Sequence, residues 1–132
     1  TLYKIGKNLG IAFQLEDDYL DAFGQSKDFG KKIGGDILEK KKTLLYILSK
    51  DHLEDKDKEL FLDTFNSSEL GDDKKIKTIK EYYISSGSKQ DLEDYIKKYY
   101  DISINLINDL ELEEDKKNVF KEYCSSLINR VS

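Results

Sequence analysis

Residues 13–24 read FQLEDDYLDAFG and set Asp17, Asp18 and Asp21 together as D-D-x-x-D. Aspartate is a mediocre helix former, and like charges one turn apart repel. The surrounding residues nevertheless carry a helical pattern. Ile5, Leu9, Ala12, Phe13, Leu15, Tyr19, Leu20 and Phe23 recur on one broad side of a helix spanning residues 1–24. At about 100° per residue, Gln14, Asp17, Asp18 and Asp21 form a narrow stripe at i, i+3, i+4 and i+7. Lys7 and Gly10 extend it. Glu16 falls on the apolar side, and nothing in the sequence accounts for it.

Outward from this segment the pattern stays helical. Residues 25–35 read as a polar, glycine-bearing loop, and residues 36–50 as a second helix, with Asp36 as N-cap and Glu39 three residues on. A short helix is expected from Asp55 to Asn66, and another over 72–86 with Ile76, Ile79, Tyr83 and Ile84 on one face. The chain restarts at Ser88, which with Asp91 resembles a capping box, and a last helix covers 114–131. The alternation that marks strands is absent. The expectation is an all-α helical bundle of five to seven helices, a single segment over 1–132 without an internal boundary.

Composition narrows the function classes. The net charge of −5, from near-balanced lysines and acids, leaves no broad basic face for nucleic acid. No stretch approaches the roughly 20 apolar residues of a membrane span. The one cysteine, Cys124, has no internal disulfide partner, which fits a cytoplasmic protein, and it reads as a small buried residue. The absence of methionine, and a start already in helical register, suggest the interior of a longer protein. His52 reads as solvated among charges, and Tyr82–Tyr83 and Tyr99–Tyr100 as packing residues.

Energetics sharpen the reading of the aspartates. Two carboxylates about 4 Å apart repel by about 1 kcal/mol in water, and by about 4 kcal/mol at an effective dielectric near 20. A solvated acidic face tolerates this. In a groove between helices the repulsion must be offset, and Mg²⁺ suits that role. It binds one or two carboxylates, keeps several waters and leaves positions for substrate phosphates. The following segment, FGKKIGGDILEKKKT over 29–43, places Lys31 in a loop as a flexible cation suited to a diphosphate oxygen. Alone, that segment is an ordinary interhelical loop.

Together the two segments resemble the C-terminal half of trans-isoprenyl diphosphate synthases, the polyprenyl synthetase family that includes farnesyl, geranylgeranyl and polyprenyl diphosphate synthases. F-Q-x-x-D-D-x-x-D matches that family's second aspartate-rich motif at Phe13, Gln14, Asp17, Asp18 and Asp21. G-K-x-x-G-G-D matches its following loop at Gly30, Lys31, Gly34, Gly35 and Asp36, and K-x-T matches at Lys41 and Thr43. The ending SSLINRVS, with Arg130, is similar to the family's C-terminal helix and suggests the natural C-terminus.

The resemblance implies an isoprenoid-synthase-type fold and a Mg²⁺-dependent prenyltransferase. Such an enzyme ionises an allylic diphosphate and joins the cation to isopentenyl diphosphate. Asp17, Asp18 and Asp21 are then the metal ligands, Asp17 most directly. Lys31 and Gln14 are catalytic and contact the diphosphate, and Phe13, Asp36 and Lys41 complete the substrate-binding set. The family's first aspartate-rich motif, its isopentenyl diphosphate site and its dimerising helices lie upstream and are absent here. The parent is therefore expected to be a homodimeric enzyme, and the 132 residues alone to be inactive and to self-associate through uncovered apolar helix faces. The alternative is a non-catalytic helical partner subunit of a prenyl synthase. Terpene cyclases and head-to-head synthases also use aspartate-rich helices, but neither is expected to pair these two motifs. Product chain length is not legible.

Overall fold

A computed structural model describes residues 2–24 and 33–128. Lys31 and Arg130 lie outside the described residues, as does the expected helical extension over 129–131. Seven helices occur among the described residues, and no strand does. They are α1 (Leu2–Phe23), α2 (Gly35–Leu38), α3 (Leu44–His52), α4 (Asp55–Asn66), α5 (Asp72–Ser85), α6 (Ser88–Asn108) and α7 (Glu114–Ile128). The all-α expectation holds.

The expected second helix is not continuous. After one turn of α2 the backbone leaves helical geometry at Lys40, whose φ is 58°, and α3 starts only at Leu44. The N-cap of α2 is Gly34, not Asp36. Gly34 sits at φ 88°, where a side chain is strained, and a Cβ there would come within 2.7 Å of Ile76. Asp36 lies inside the first turn, where a carboxylate still favours the helix dipole.

Nor do Ser88 and Asp91 cap one another. The Ser88 hydroxyl lies 2.7 Å from that of Ser49, and both share bonds with Ser86 Oγ. Asp91 faces His52 at 2.9 Å, so that histidine is ion-paired when protonated, not simply solvated. Gly87, at φ 85°, reverses the chain between α5 and α6, with its N–H donated to Ile84 O.

The chain groups into two compact units whose boundaries fall within α1 and α6 instead of in loops. One unit, residues 18–92, is built on aromatic packing. Tyr46 stacks 4.4 Å from Phe65 and 5.7 Å from Phe61, and Phe61 meets Tyr83 at 6.2 Å. Leu20, Ile37, Leu45 and Ile79 are buried in the same unit. Burial of each such side chain is worth about 1.5–3 kcal/mol, which is what holds short, charge-rich helices in place. The other unit comprises residues 1–17 and 93–132. Its core joins Ile5, Ile107 and Cys124, with Leu9, Tyr100, Ile104 and Leu110 packed against them. Cys124 is buried and free, as expected.

Candidate functional site

The acidic helix α1 is more buried than a solvated stripe would be. Asp18 and Asp21 retain only 8% and 6% exposure, whereas Phe13, placed on the apolar side by periodicity, is 38% exposed. Gln14 is exposed, and Asp17 is half-buried. Glu16 is fully buried, which accords with its place on the apolar side. Phe13, Gln14 and Asp17 precede the unit boundary, while Asp18 and Asp21 follow it on the same continuous helix.

Burying a carboxylate is costly unless it is hydrogen-bonded or paired. The two buried aspartates are answered by the segment that follows. Asp21 Oδ2 accepts the backbone N–H of Asp36 at 2.8 Å, and Asp21 O accepts that of Gly34 at 2.6 Å. The end of α1 thus receives the start of α2 through both its main chain and its side chain. Asp18 Oδ1 lies 3.5 Å from Lys41 Nζ, and Asp36 Oδ2 lies 3.9 Å from the same ammonium. Lys41 itself is half exposed, so its charge still reaches solvent.

The break after α2 sets this arrangement. Lys41 N–H donates to Asp36 O at 2.8 Å, and Thr43 N–H donates to Lys41 O at 3.0 Å. A continuous helix over 36–50 would have pointed Lys41 differently. Of the residues expected at the site, the structure therefore brings Asp18, Asp21, Asp36 and Lys41 together. Lys31 falls outside the described residues.

Two further side chains border this cluster, Thr43 and Tyr83. Tyr83 is 2% exposed, and its ring packs against Phe23 at 6.5 Å and Phe61 at 6.2 Å. Burial pushes its phenol well above the usual tyrosine range; the Thr43 side chain opposes this, and the Asp36 and Asp21 carboxylates add to it. Sequence periodicity marks Tyr83 as an apolar position on α5, and its nearness to the acidic cluster leaves no trace in that pattern. The cluster is distinct from a groove of about 510 Å³ lined by Ile33 and, along α5, by Asp73, Ile76, Lys77, Lys80, Glu81 and Ile84, which contains none of the expected site residues.

As a metal site, the donors are hard oxygens on a partly buried helix face, the chemistry Mg²⁺ prefers. They do not form a ready cage. Among the described residues, no group of three or more acidic, histidine or cysteine side chains is gathered closely enough to hold a metal ion. The geometric reason is that Asp17 and Asp18 diverge by about 100° around the helix, while Asp21 is turned onto the Asp36 amide. One or two carboxylates with water and ligand oxygens fit Mg²⁺; a three-carboxylate shell does not.

Comparison with known proteins places the chain. The polyprenyl synthetase profile matches residues 1–83. A geranylgeranyl diphosphate synthase from Saccharolobus solfataricus is 34% identical over 109 residues, covering 83% of this chain and 32% of that protein. A short chain isoprenyl diphosphate synthase from Methanothermobacter thermautotrophicus is 33% identical over 90 residues, covering 68% of this chain and 27% of the relative. Among solved structures, a crystal structure of geranylgeranyl pyrophosphate synthase aligns with a TM-score of 0.85 and 37% identity, covering 98% of this chain and 41% of that one. The fold is that of an isoprenoid synthase, of which these residues match a part; the chain spans about a third or less of the two curated relatives. By motif, profile and fold alike, the chain belongs to the polyprenyl synthetase family.

Proposed function

We propose that this chain supplies the second aspartate-rich face of a Mg²⁺-dependent prenyltransferase. The enzyme condenses an allylic diphosphate with isopentenyl diphosphate to give a longer trans-prenyl diphosphate. The observation that carries the reading is the pairing of two buried aspartates with the segment that follows them: Asp21 to the Asp36 amide and Asp18 to Lys41. Family membership and the intact D-D-x-x-D motif support it.

Asp17 and Asp18 would hold Mg²⁺, directly or through water, and Asp21 would hold the α1–α2 junction against them. Bound Mg²⁺ supplies positive charge that neutralises the diphosphate as it leaves, the main electrostatic contribution in such chemistry. Lys41 presents an ammonium to the same face, where it offsets aspartate charge and can meet a diphosphate oxygen. Lys31 and Gln14 are assigned to the diphosphate, and Phe13 to the apolar wall near the developing cation. Asp36 has a structural share, since its amide is what Asp21 accepts. These 132 residues hold one D-D-x-x-D motif, so they do not supply the opposing aspartate-rich face that the reading requires. The chain alone is therefore assigned no turnover.

Calorimetric titration with MgCl₂ and sodium pyrophosphate tests this. The 132-residue chain should bind the two together and each only weakly alone, because Mg²⁺ gives up water reluctantly and needs the ligand's oxygens. Asp17→Asn should weaken coupled binding by about tenfold or more while leaving the helical signal and melting temperature in place. Pyrophosphate binding that ignores Mg²⁺, or is unchanged in Asp17→Asn, would sink the reading.

A further inference from the structure

Lys41 stands between two carboxylates. Its ammonium lies 3.5 Å from Asp18 Oδ1 and 3.9 Å from Asp36 Oδ2. Both distances suit an ion pair, and both exceed the roughly 2.8 Å of a tight charge-assisted hydrogen bond. Asp18 is 8% exposed, and a carboxylate so buried needs opposite charge or hydrogen bonds. Lys41 brings it that charge while half of the lysine side chain stays in solvent.

The parts of this contact differ in freedom. The Lys41 backbone is held, since its N–H donates to Asp36 O at 2.8 Å and its O accepts the Thr43 N–H at 3.0 Å. Asp18 lies inside α1, and Asp36 lies in the first turn of α2 with its N–H donated to Asp21 Oδ2 at 2.8 Å. Both carboxylates thus sit on anchored backbone. The lysine stem is the part with room to move, because its four-carbon chain is flexible and its head reaches water. Lys40 beside it turns elsewhere, its ammonium 3.0 Å from Ser68 Oγ. Of the two adjacent lysines, Lys41 is the one ion-paired in the acidic cluster.

A metal cation that binds Asp18 competes with this ammonium. Two cations crowded on one carboxylate repel, and more strongly where water is excluded. We propose that Lys41 is an exchangeable counter-ion of the diphosphate site: it balances Asp18 and Asp36, yields Asp18 to Mg²⁺, and turns onto the diphosphate that arrives with the metal. The inference rests on the diphosphate-binding reading above and adds to it a built-in reason for metal and anion to bind as one. Mg²⁺ by itself displaces the ammonium and gives it no new partner. Mg²⁺ with a diphosphate gives it one, so each ligand favours the other.

The test is calorimetric titration of the 132-residue chain with MgCl₂ alone, and with sodium pyrophosphate at saturating Mg²⁺, with circular dichroism beside it. Lys41→Gln should tighten Mg²⁺ alone about three- to tenfold and weaken pyrophosphate about tenfold. The opposite signs are the signature of exchange. Lys41→Arg keeps the charge and should hold Mg²⁺ affinity within about twofold of native. Lys40→Gln removes a neighbouring charge and should move neither affinity by more than about twofold. In the Asp18→Asn background, Lys41→Gln should no longer tighten Mg²⁺, because the contested carboxylate is gone. Unchanged or weaker Mg²⁺ binding in folded Lys41→Gln would overturn the exchange, as would equal tightening in Lys40→Gln or tightening that persists in Asp18→Asn. If Lys41→Gln does not fold, NMR of isotopically methylated lysines in the unaltered chain carries the test. The Lys41 signal, assigned by its loss in Lys41→Arg, should move when MgCl₂ is added, and a signal that stays in place overturns the exchange. An unaltered chain that does not bind Mg²⁺–pyrophosphate would instead overturn the diphosphate reading, and this inference with it.

Discussion

Tyr83 shows how a single buried group links the site to the pH dependence of the fold. Its phenol is pushed above the usual range, first by burial, with the Asp36 and Asp21 carboxylates adding to it and the Thr43 side chain opposing it. Below about pH 10 the phenol is protonated in folded and unfolded chains alike, and its stabilising contribution is whole. Above that, the unfolded chain releases the proton and the folded chain keeps it. The native state then binds more protons, and stability falls as pH rises. Urea melts from pH 9 to 11.5 should therefore show an alkaline loss steeper in the native chain than in Tyr83→Phe, by up to about 1.4 kcal/mol per pH unit. Parallel curves would mean the phenol ionises freely in the folded state. D-D-x-x-D was legible in sequence as an acidic stripe. That Asp21 would turn onto the Asp36 amide was not, because the bond spans fifteen residues and depends on where α2 begins.

Among the elements, the α1–α2 junction and the turn after α2 depart furthest from sequence periodicity. The run DILEKKKTLLYILSK has good helix formers and no proline, so local propensity favours one helix. Tertiary contacts break it. Ile37, Leu45 and Tyr46 are all buried, and at about 100° per residue a straight helix would set Tyr46 opposite Ile37, so it could not seat both against α5 while Asp36 N–H serves Asp21. Lys40, freed by the break, reaches Ser68 Oγ at 3.0 Å, and buried Lys75 donates to Ser67 O at 2.8 Å. Two ammonium groups thus meet the segment just past α4, whose last turn has no basic residue of its own. Gly34 starts α2 and is the element's weak point. Gly34→Ala forces a side chain to positive φ and into Ile76, so urea melts should show a loss of about 1–3 kcal/mol. Gly71→Ala is the control. Its φ of −61° suits alanine and its Cβ would meet nothing within 4 Å, so stability should hold or rise slightly. Equal effects at the two positions would remove the special role given to Gly34.

At the scale of the whole molecule, apolar side chains stay uncovered on both terminal helices. Leu2 and Tyr3 on α1 are 62% and 81% exposed, and Val119 and Tyr123 on α7 are 66% and 61% exposed. Phe13, Leu112 and Phe120 are about two-fifths exposed. Exposed apolar side chains in such number favour association. Sedimentation velocity from micromolar to near-millimolar chain should show a mass rising with concentration, and Tyr3→Ser with Val119→Ser should lower it; a constant monomer mass would count against these faces as contacts. Among the described residues no helix is long and apolar enough to cross a membrane. The amino-acid sequence by itself determined the class of the fold and the family. Helical periodicity is local, and the spacing of F-Q-x-x-D-D-x-x-D and G-K-x-x-G-G-D is a one-dimensional property. Only the tertiary structure decided that the second helix divides, that Gly34 and not Asp36 begins α2, and that Ser88 and Asp91 serve Ser49 and His52 in place of each other. It also decided that Asp18 and Asp21 are buried beside Lys41 and Tyr83. Each of these depends on which distant polar group competes for a donor or an acceptor, and a buried hydrogen bond of about 1 kcal/mol outweighs the few tenths by which local propensity would have chosen otherwise.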